Sequence, residues 1–271
     1  MTSLPYVVTP ELLAELEEKG ARYLPTLELM QKEQTSMLAS FQHGNVPRRR
    51  WERLVACEGR GCPNRTCSSA CWFGERAAYL SLVAQAHDLL EQTGLPLWFV
   101  TVIDPRYRVS AGELRAMALD GMKQGLSRRF KHIEAAYGPL HAFGGIEASF
   151  EIGRNGEPYW GPHTHLVVAA RCPEAELKAA LRPAGDLPRG FRPIMMTPVY
   201  NLGNALSYCG KRTPAQRVST TGSRTTRDCL KQPVQSRANL EYNIWLLGLR
   251  PTERLVMRGF RRVHGRLTLL R

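Results

Sequence analysis

Two β-rich runs on either side of an Asn-Gly step constrain this chain more than anything else in it. Residues 145–152 and 163–169 are short, apolar and rich in strand formers, and Asn155-Gly156 lies between them. Asn-Gly is a strong signal for a tight antiparallel connection, so the two runs predict a hairpin. Residues 97–103, Leu-Trp-Phe-Val-Thr-Val-Ile, read as a further strand stopped by Asp104-Pro105. Around these strands, apolar residues recur at helical spacing over 10–43, 75–93, 110–137, 173–181, 201–211 and 240–249. Ser110 with Glu113 has the spacing of a capping box for the longest of them. Residues 213–236 are polar and aperiodic, and read as loop. The expectation is an α+β chain, an antiparallel sheet with helices packed on it.

Chemistry concentrates on the hairpin. In a strand, residues i and i+2 project from one face, about 7 Å apart at their Cα atoms. His163 and His165, in Pro162-His163-Thr164-His165-Leu166-Val167-Val168, therefore point the same way and can close on one divalent ion. Glu147, Ser149 and Glu151 share one face of the preceding strand. Counting back from Asn155-Gly156 puts Glu147 opposite Thr164, between the two histidines, and one bulge near Gly161-Pro162 would set it directly beside a histidine. Glu151 would then lie opposite Trp160 or Gly161. Glu147 is the preferred third ligand and Glu151 the alternate. Mixed nitrogen and oxygen ligation suits Mg²⁺ or Mn²⁺ in phosphoryl chemistry, and also accommodates Zn²⁺.

A second segment, Asn204-Ala205-Leu206-Ser207-Tyr208-Cys209-Gly210-Lys211, places Asn204, Tyr208 and Lys211 on one helical face. A phenol is a weak nucleophile at neutral pH, and a nearby metal and a lysine charge both lower its barrier to attack on a phosphodiester. Tyr208 is the candidate nucleophile and Lys211 its electrostatic helper.

Three motifs now stand in a fixed order: Trp98-Phe99-Val100-Thr101-Val102, then Pro162 to Val168, then Tyr208-Cys209-Gly210-Lys211. This combination resembles the HUH endonuclease superfamily, in particular its rolling-circle replication initiators, over about residues 95–215. The resemblance implies a central antiparallel sheet of about five strands, related to the RNA-recognition fold. It implies nicking and rejoining of single-stranded or hairpin DNA at a replication origin, through a 5′-phosphotyrosine intermediate. Some relatives carry two tyrosines one helical turn apart; Asn204 holds the matching position here, so the resemblance is to a single-tyrosine enzyme. A transposase or mobilisation relaxase of the same superfamily shares the chemistry. No Gly-x4-Gly-Lys-Ser/Thr loop is present, so a host helicase is expected as a partner, with a host polymerase.

The remaining features point to nucleic acid as well. Lys plus Arg is 37 against 24 for Asp plus Glu, a net charge of +13 with a pI near 9.8, which suits a polyanionic partner. Arg48, Arg49 and Arg50 form one basic run. Arg250, Arg254, Arg258, Arg261, Arg262, Arg266 and Arg271 crowd the C-terminal segment, with Arg258, Arg261 and Arg262 the foremost candidates for phosphate contact. Cys57, Cys62, Cys67 and Cys71 supply four thiolates within fifteen residues, a set that suits structural Zn²⁺. The expected organisation is a helical zinc-binding region over 1–94, the endonuclease domain over 95–215, and a polar loop with a basic helical segment over 216–271. No secretory signal or membrane span is read, so a cytoplasmic protein is expected. A non-catalytic, zinc-dependent DNA-binding protein is the reading from another class.

Overall fold

The computed structural model describes residues 8–55, 68–153, 155–185, 187, 191–212, 214, 216–219, 229–232, 234–263 and 266–270. Cys57, Cys62, Cys67 and Arg271 lie outside them. The helices are α1 (Pro10–Glu18), α2 (Leu27–His43), α3 (Glu52–Val55), α4 (Trp72–Gln92), α5 (Leu119–Tyr137), α6 (Glu174–Leu181), α7 (Leu202–Cys209) and α8 (Ser236–Leu247). The strands are β1 (Leu97–Ile103), β2 (Val109–Ser110), β3 (His141–Ile152), β4 (Pro158–Ala169), β5 (Ile194–Pro198), β6 (Gln216–Ser219), β7 (Cys229–Gln232), β8 (Leu255–Arg258), β9 (Phe260–Val263) and β10 (Arg266–Leu269).

Eight strands form one sheet in the order β5-β1-β4-β3-β6-β7, with β2 added to β4 and β8 to β3; β9 and β10 pair separately. Every pairing is antiparallel except β3 with β6. The α+β class expected from the sequence is what the chain adopts, on a wider sheet than five strands. The added width comes from β6, β7 and β8, drawn from segments read as loop and basic tail. The tail after α8 is built of short strands rather than helix.

Two helix boundaries differ from the sequence expectation. Residues 10–43 split into α1 and α2, because Pro25 interrupts the run and the Thr26 hydroxyl accepts from Leu29 N–H to start α2 afresh. The helix expected from Ser110 begins at Leu119 instead. The Glu241 carboxylate takes the N–H groups of Gly112 and Leu114, holding that stretch out of the helix.

One continuous apolar core runs from Val8 to Leu267 and takes residues from all three sequence segments. On β1, β3 and β4 the even-numbered side chains Val100, Val102, Ile146, Ala148, Phe150, Leu166 and Val168 are all buried. The odd-numbered side chains form the opposite face, which carries the polar residues described next. Among the described residues, no helix is long and apolar enough to cross a membrane.

Candidate metal and tyrosine site

The hairpin closes one residue away from the sequence count. Gly153 N–H donates to the Glu157 carbonyl, so the connection is longer than a two-residue turn, and Gly156 takes the positive φ of 79° that ends it. The register shifts accordingly. Glu147 stands directly opposite His163, and Glu151 opposite Tyr159 rather than Trp160 or Gly161. Neighbouring β1 places Thr101 opposite His165. Glu147, Ser149, Glu151, His163, His165 and Thr101 therefore share one face of the sheet.

These side chains pair off. His163 Nε2 lies 3.1 Å from Glu151 Oε1 and 3.0 Å from Ser149 Oγ. Glu151 also accepts from the Ser149 hydroxyl at 2.8 Å and the Tyr159 hydroxyl at 2.7 Å. Burial alone would raise its carboxyl pKa; His163 first, then Tyr159 and Ser149, outweigh burial and hold it at about 2. His165 Nδ1 sits 2.9 Å from the Thr101 hydroxyl. Its Nε2 lies 3.3 Å from Glu147 Oε2, yet is buried without a hydrogen bond. Lys211 Nζ is 3.5 Å from the other oxygen of Glu147. Burial opposes the Glu147 charge, but His165 and Lys211 prevail and keep its carboxyl below the usual range. Burial lowers His165, more than Glu147 raises it, so this imidazole is neutral at pH 7.

Among the described residues, no three His, Cys, Asp or Glu side chains already converge as a metal cage. The donor set nevertheless suits a divalent ion. With Nδ1 beside the Thr101 hydroxyl, the ring can turn Nε2 to an ion in its Nδ1–H tautomer, and here Nε2 is buried beside a carboxylate with no hydrogen bond of good geometry. The two imidazole centroids are 6.1 Å apart.

α7 lies over this face. Asn201 caps it through its side chain, which accepts from Asn204 N–H, and the buried Tyr79 hydroxyl of α4 donates to Leu206 O at 2.6 Å. A Cβ on Gly145 would lie 2.8 Å from the Cys209 carbonyl, so glycine there lets the end of α7 settle onto β3. This packing sets the Tyr208 ring edge-on to His165, with centroids 5.2 Å apart, and edge-on to Phe99 at 5.6 Å. Phe99 in turn stacks on His165, their planes 12° apart. Burial, then the charge of Glu147, raises the Tyr208 pKa. Lys211 departs from the expected helical face: α7 ends at Cys209, and Lys211 reaches Glu147 from beyond the helix. Tyr200 is 93% exposed and precedes the helix.

Thr101 and Tyr23 were not singled out by sequence reasoning. Thr101 had a partial signal, since parity sets it on the face of β1 opposite to Val100 and Val102, but its place beside His165 depends on the β1–β4 register. Tyr23 has no local signal; it arrives from the N-terminal segment, its ring centroid 4.9 Å from that of Tyr208.

The basic residues divide. Arg48, Arg49 and Arg50 form an exposed 3-10 turn. Arg261 is exposed and Arg262 half-buried on β9. Arg258 is engaged by Glu134 through both carboxylate oxygens, its Nε at 2.8 Å. Arg254 is a plain correction: it is buried and donates to Glu75 at 2.7 Å and to the Ile146 carbonyl at 3.3 Å. Glu75 also takes Arg76, at 2.6 and 2.8 Å, and the buried Arg212 is close enough to add to its field. Of the four clustered cysteines, Cys71 is buried at the start of α4, where its sulfur accepts from Gly74 N–H at 3.3 Å.

No family model, curated protein or solved structure matches the chain.

Proposed function

We propose that this protein nicks and rejoins single-stranded DNA through a covalent link to Tyr208, acting as a rolling-circle replication initiator. The observation that carries the reading is the seating of the Tyr208 ring against His165, on the sheet face that holds His163, Glu147 and Glu151. His163, His165 and Glu147 would hold Mg²⁺ or Mn²⁺, with Glu151 orienting His163. Such an ion supplies charge stabilisation to a phosphodiester oxygen. Thr101 holds the imidazole of His165 in the orientation that presents Nε2. Tyr208 supplies the oxygen that bonds to phosphorus as the bond to the 3′ oxygen breaks; a later attack by that 3′ hydroxyl releases the phenol. Phe99 and the α7 packing keep the ring in place for both steps. Structural Zn²⁺ on Cys57, Cys62, Cys67 and Cys71 belongs to the same proposal; the N–H···S bond from Gly74 to Cys71 suits a thiolate at a helix start. The partners would be origin DNA in single-stranded or hairpin form and a host helicase and polymerase.

The test is incubation with end-labelled single-stranded oligonucleotides and Mn²⁺. The expected product is a denaturation-resistant protein–DNA adduct that disappears with chelator and in His163→Ala. Binding without any adduct across a library of hairpin and linear substrates would instead leave a non-catalytic DNA-binding protein.

A further expectation concerns Lys211. Its ammonium occupies the carboxylate that the ion needs, so Lys211→Met should bind Mn²⁺ more tightly. A partly buried pair of this kind is worth roughly 1 kcal/mol, or about fivefold in affinity. Lys211→Arg, which keeps the charge, should bind like the native protein. Titration of free Mn²⁺ by electron paramagnetic resonance reads the difference.

A further inference from the structure

We infer that Tyr23 is a stacking platform for a nucleobase beside the scissile phosphate, an inference that rests on the reading of Tyr208 as the nucleophile. Residues 20–26 link α1 to α2 as a strap that lies against α7. The strap is pinned on both sides of the tyrosine: Ala21 and Pro25 are buried, and Tyr23 N–H donates to the Ser207 hydroxyl at 3.4 Å. At its start, Lys19 presses so closely on α7 that a Cβ on Gly203 would lie 2.0 Å from the Lys19 carbonyl. The backbone is thus fixed, yet Tyr23 is 47% exposed and its ring meets Tyr208 edge-on, with interplanar angle 78°. A large aromatic ring held rigidly in solvent beside a buried polar centre is what an unstacked base uses, since every base has a face to lay on it.

The surroundings favour a nucleic-acid strand. Arg22, the preceding residue, is exposed, and the chain as a whole carries +13. Met195, 48% exposed, lies opposite Thr101 on β5 and shares the face of the histidines, so apolar surface continues from Tyr208 towards the β5 edge. β5 pairs only with β1 among the described residues. A phosphodiester within reach of the Tyr208 oxygen has its neighbouring bases within one nucleotide's span of the Tyr23 ring. The ring, rather than the hydroxyl, is the recognising group. It reads the presence of a base, with little regard to which base.

The test is fluorescence anisotropy with a labelled oligothymidylate of about 20 nucleotides in chelator, beside a backbone of the same length that lacks bases. Tyr23→Phe and Tyr23→Trp should bind oligothymidylate within about twofold of the native protein, and Tyr23→Leu about fivefold or more weakly. On the base-free backbone all four proteins should bind alike. Thermal melting checks that Tyr23→Leu is folded. Native affinity in a folded Tyr23→Leu would overturn the inference, as would an equal loss on the base-free backbone, and loss in Tyr23→Phe would assign the effect to the hydroxyl. Failure of the native protein to prefer bases over bare backbone would also overturn it, whereas failure to form any Tyr208 adduct overturns the underlying reading and is scored separately.

Discussion

Tyr208→Phe is expected to bind single-stranded DNA as the native protein does and to form no covalent adduct, a loss on the order of 10⁴-fold or more. The substitution is nearly silent structurally. Phenylalanine keeps the edge contacts to His165, Phe99 and Tyr23 that seat the ring, and removes only the oxygen. In the proposed reading binding rests on basic surface and on stacking away from the phenol oxygen, so it should survive. The native reaction should also show a pH dependence of one sign. Burial and the charge of Glu147 raise the phenol pKa, so the phenolate is scarce at neutral pH and adduct formation should speed up as pH rises from about 7 to 9. Quenched-flow sampling of the labelled adduct measures both. An adduct of undiminished yield in Tyr208→Phe would move the nucleophile to another residue.

Glu75→Gln is expected to cost about 3–5 kcal/mol of stability, the largest single loss away from the apolar core. Glu75 is buried and receives Arg76 and Arg254, with Arg212 nearby. Burial would raise its pKa, but Arg76 and then Arg254 outweigh burial and bring it from an ordinary 4.5 to about 2. A depressed carboxyl stabilises the fold fully above its unfolded value and loses that contribution as pH falls towards the folded one. The shift corresponds to about 3 kcal/mol, lost between about pH 4.5 and 2. Glu151 titrates in the same window, so wild type alone does not isolate Glu75. The expected signature is a flatter decline of stability with falling pH in Glu75→Gln than in the native protein, followed by urea unfolding. Equal slopes would mean that the three guanidiniums are balanced by some other group.

β1 and the β3–β4 hairpin were legible in the sequence because their signals are local, whereas β6, β7 and β8 were not. β1 falls where the apolar run and Asp104-Pro105 place it, and parity alone puts Glu147, Ser149 and Glu151 on one face. Register was not legible, since the difference between a two-residue turn and the longer closure at Gly153 and Glu157 is a matter of backbone geometry, and that step decides which glutamate faces which histidine. Arg254 looked like part of a phosphate-binding tail because nothing adjacent identifies its partner; Glu75 is 179 residues away. The Tyr23–Tyr208 contact is equally remote in sequence, and the partition of Lys211 onto Glu147 follows from α7 ending before it.

Between β8 and β6, the flank of β3 is closed by Arg254, which exchanges backbone and guanidinium hydrogen bonds with Ile146 beside Glu147. A ribosome must therefore deliver Arg254 before the middle of the sheet can lock. Until then the nascent chain holds Glu75 and Arg76 without their clasp, and the histidine face lacks its backing. Such a long-range closure is slow to form, and the candidate site is completed only with it.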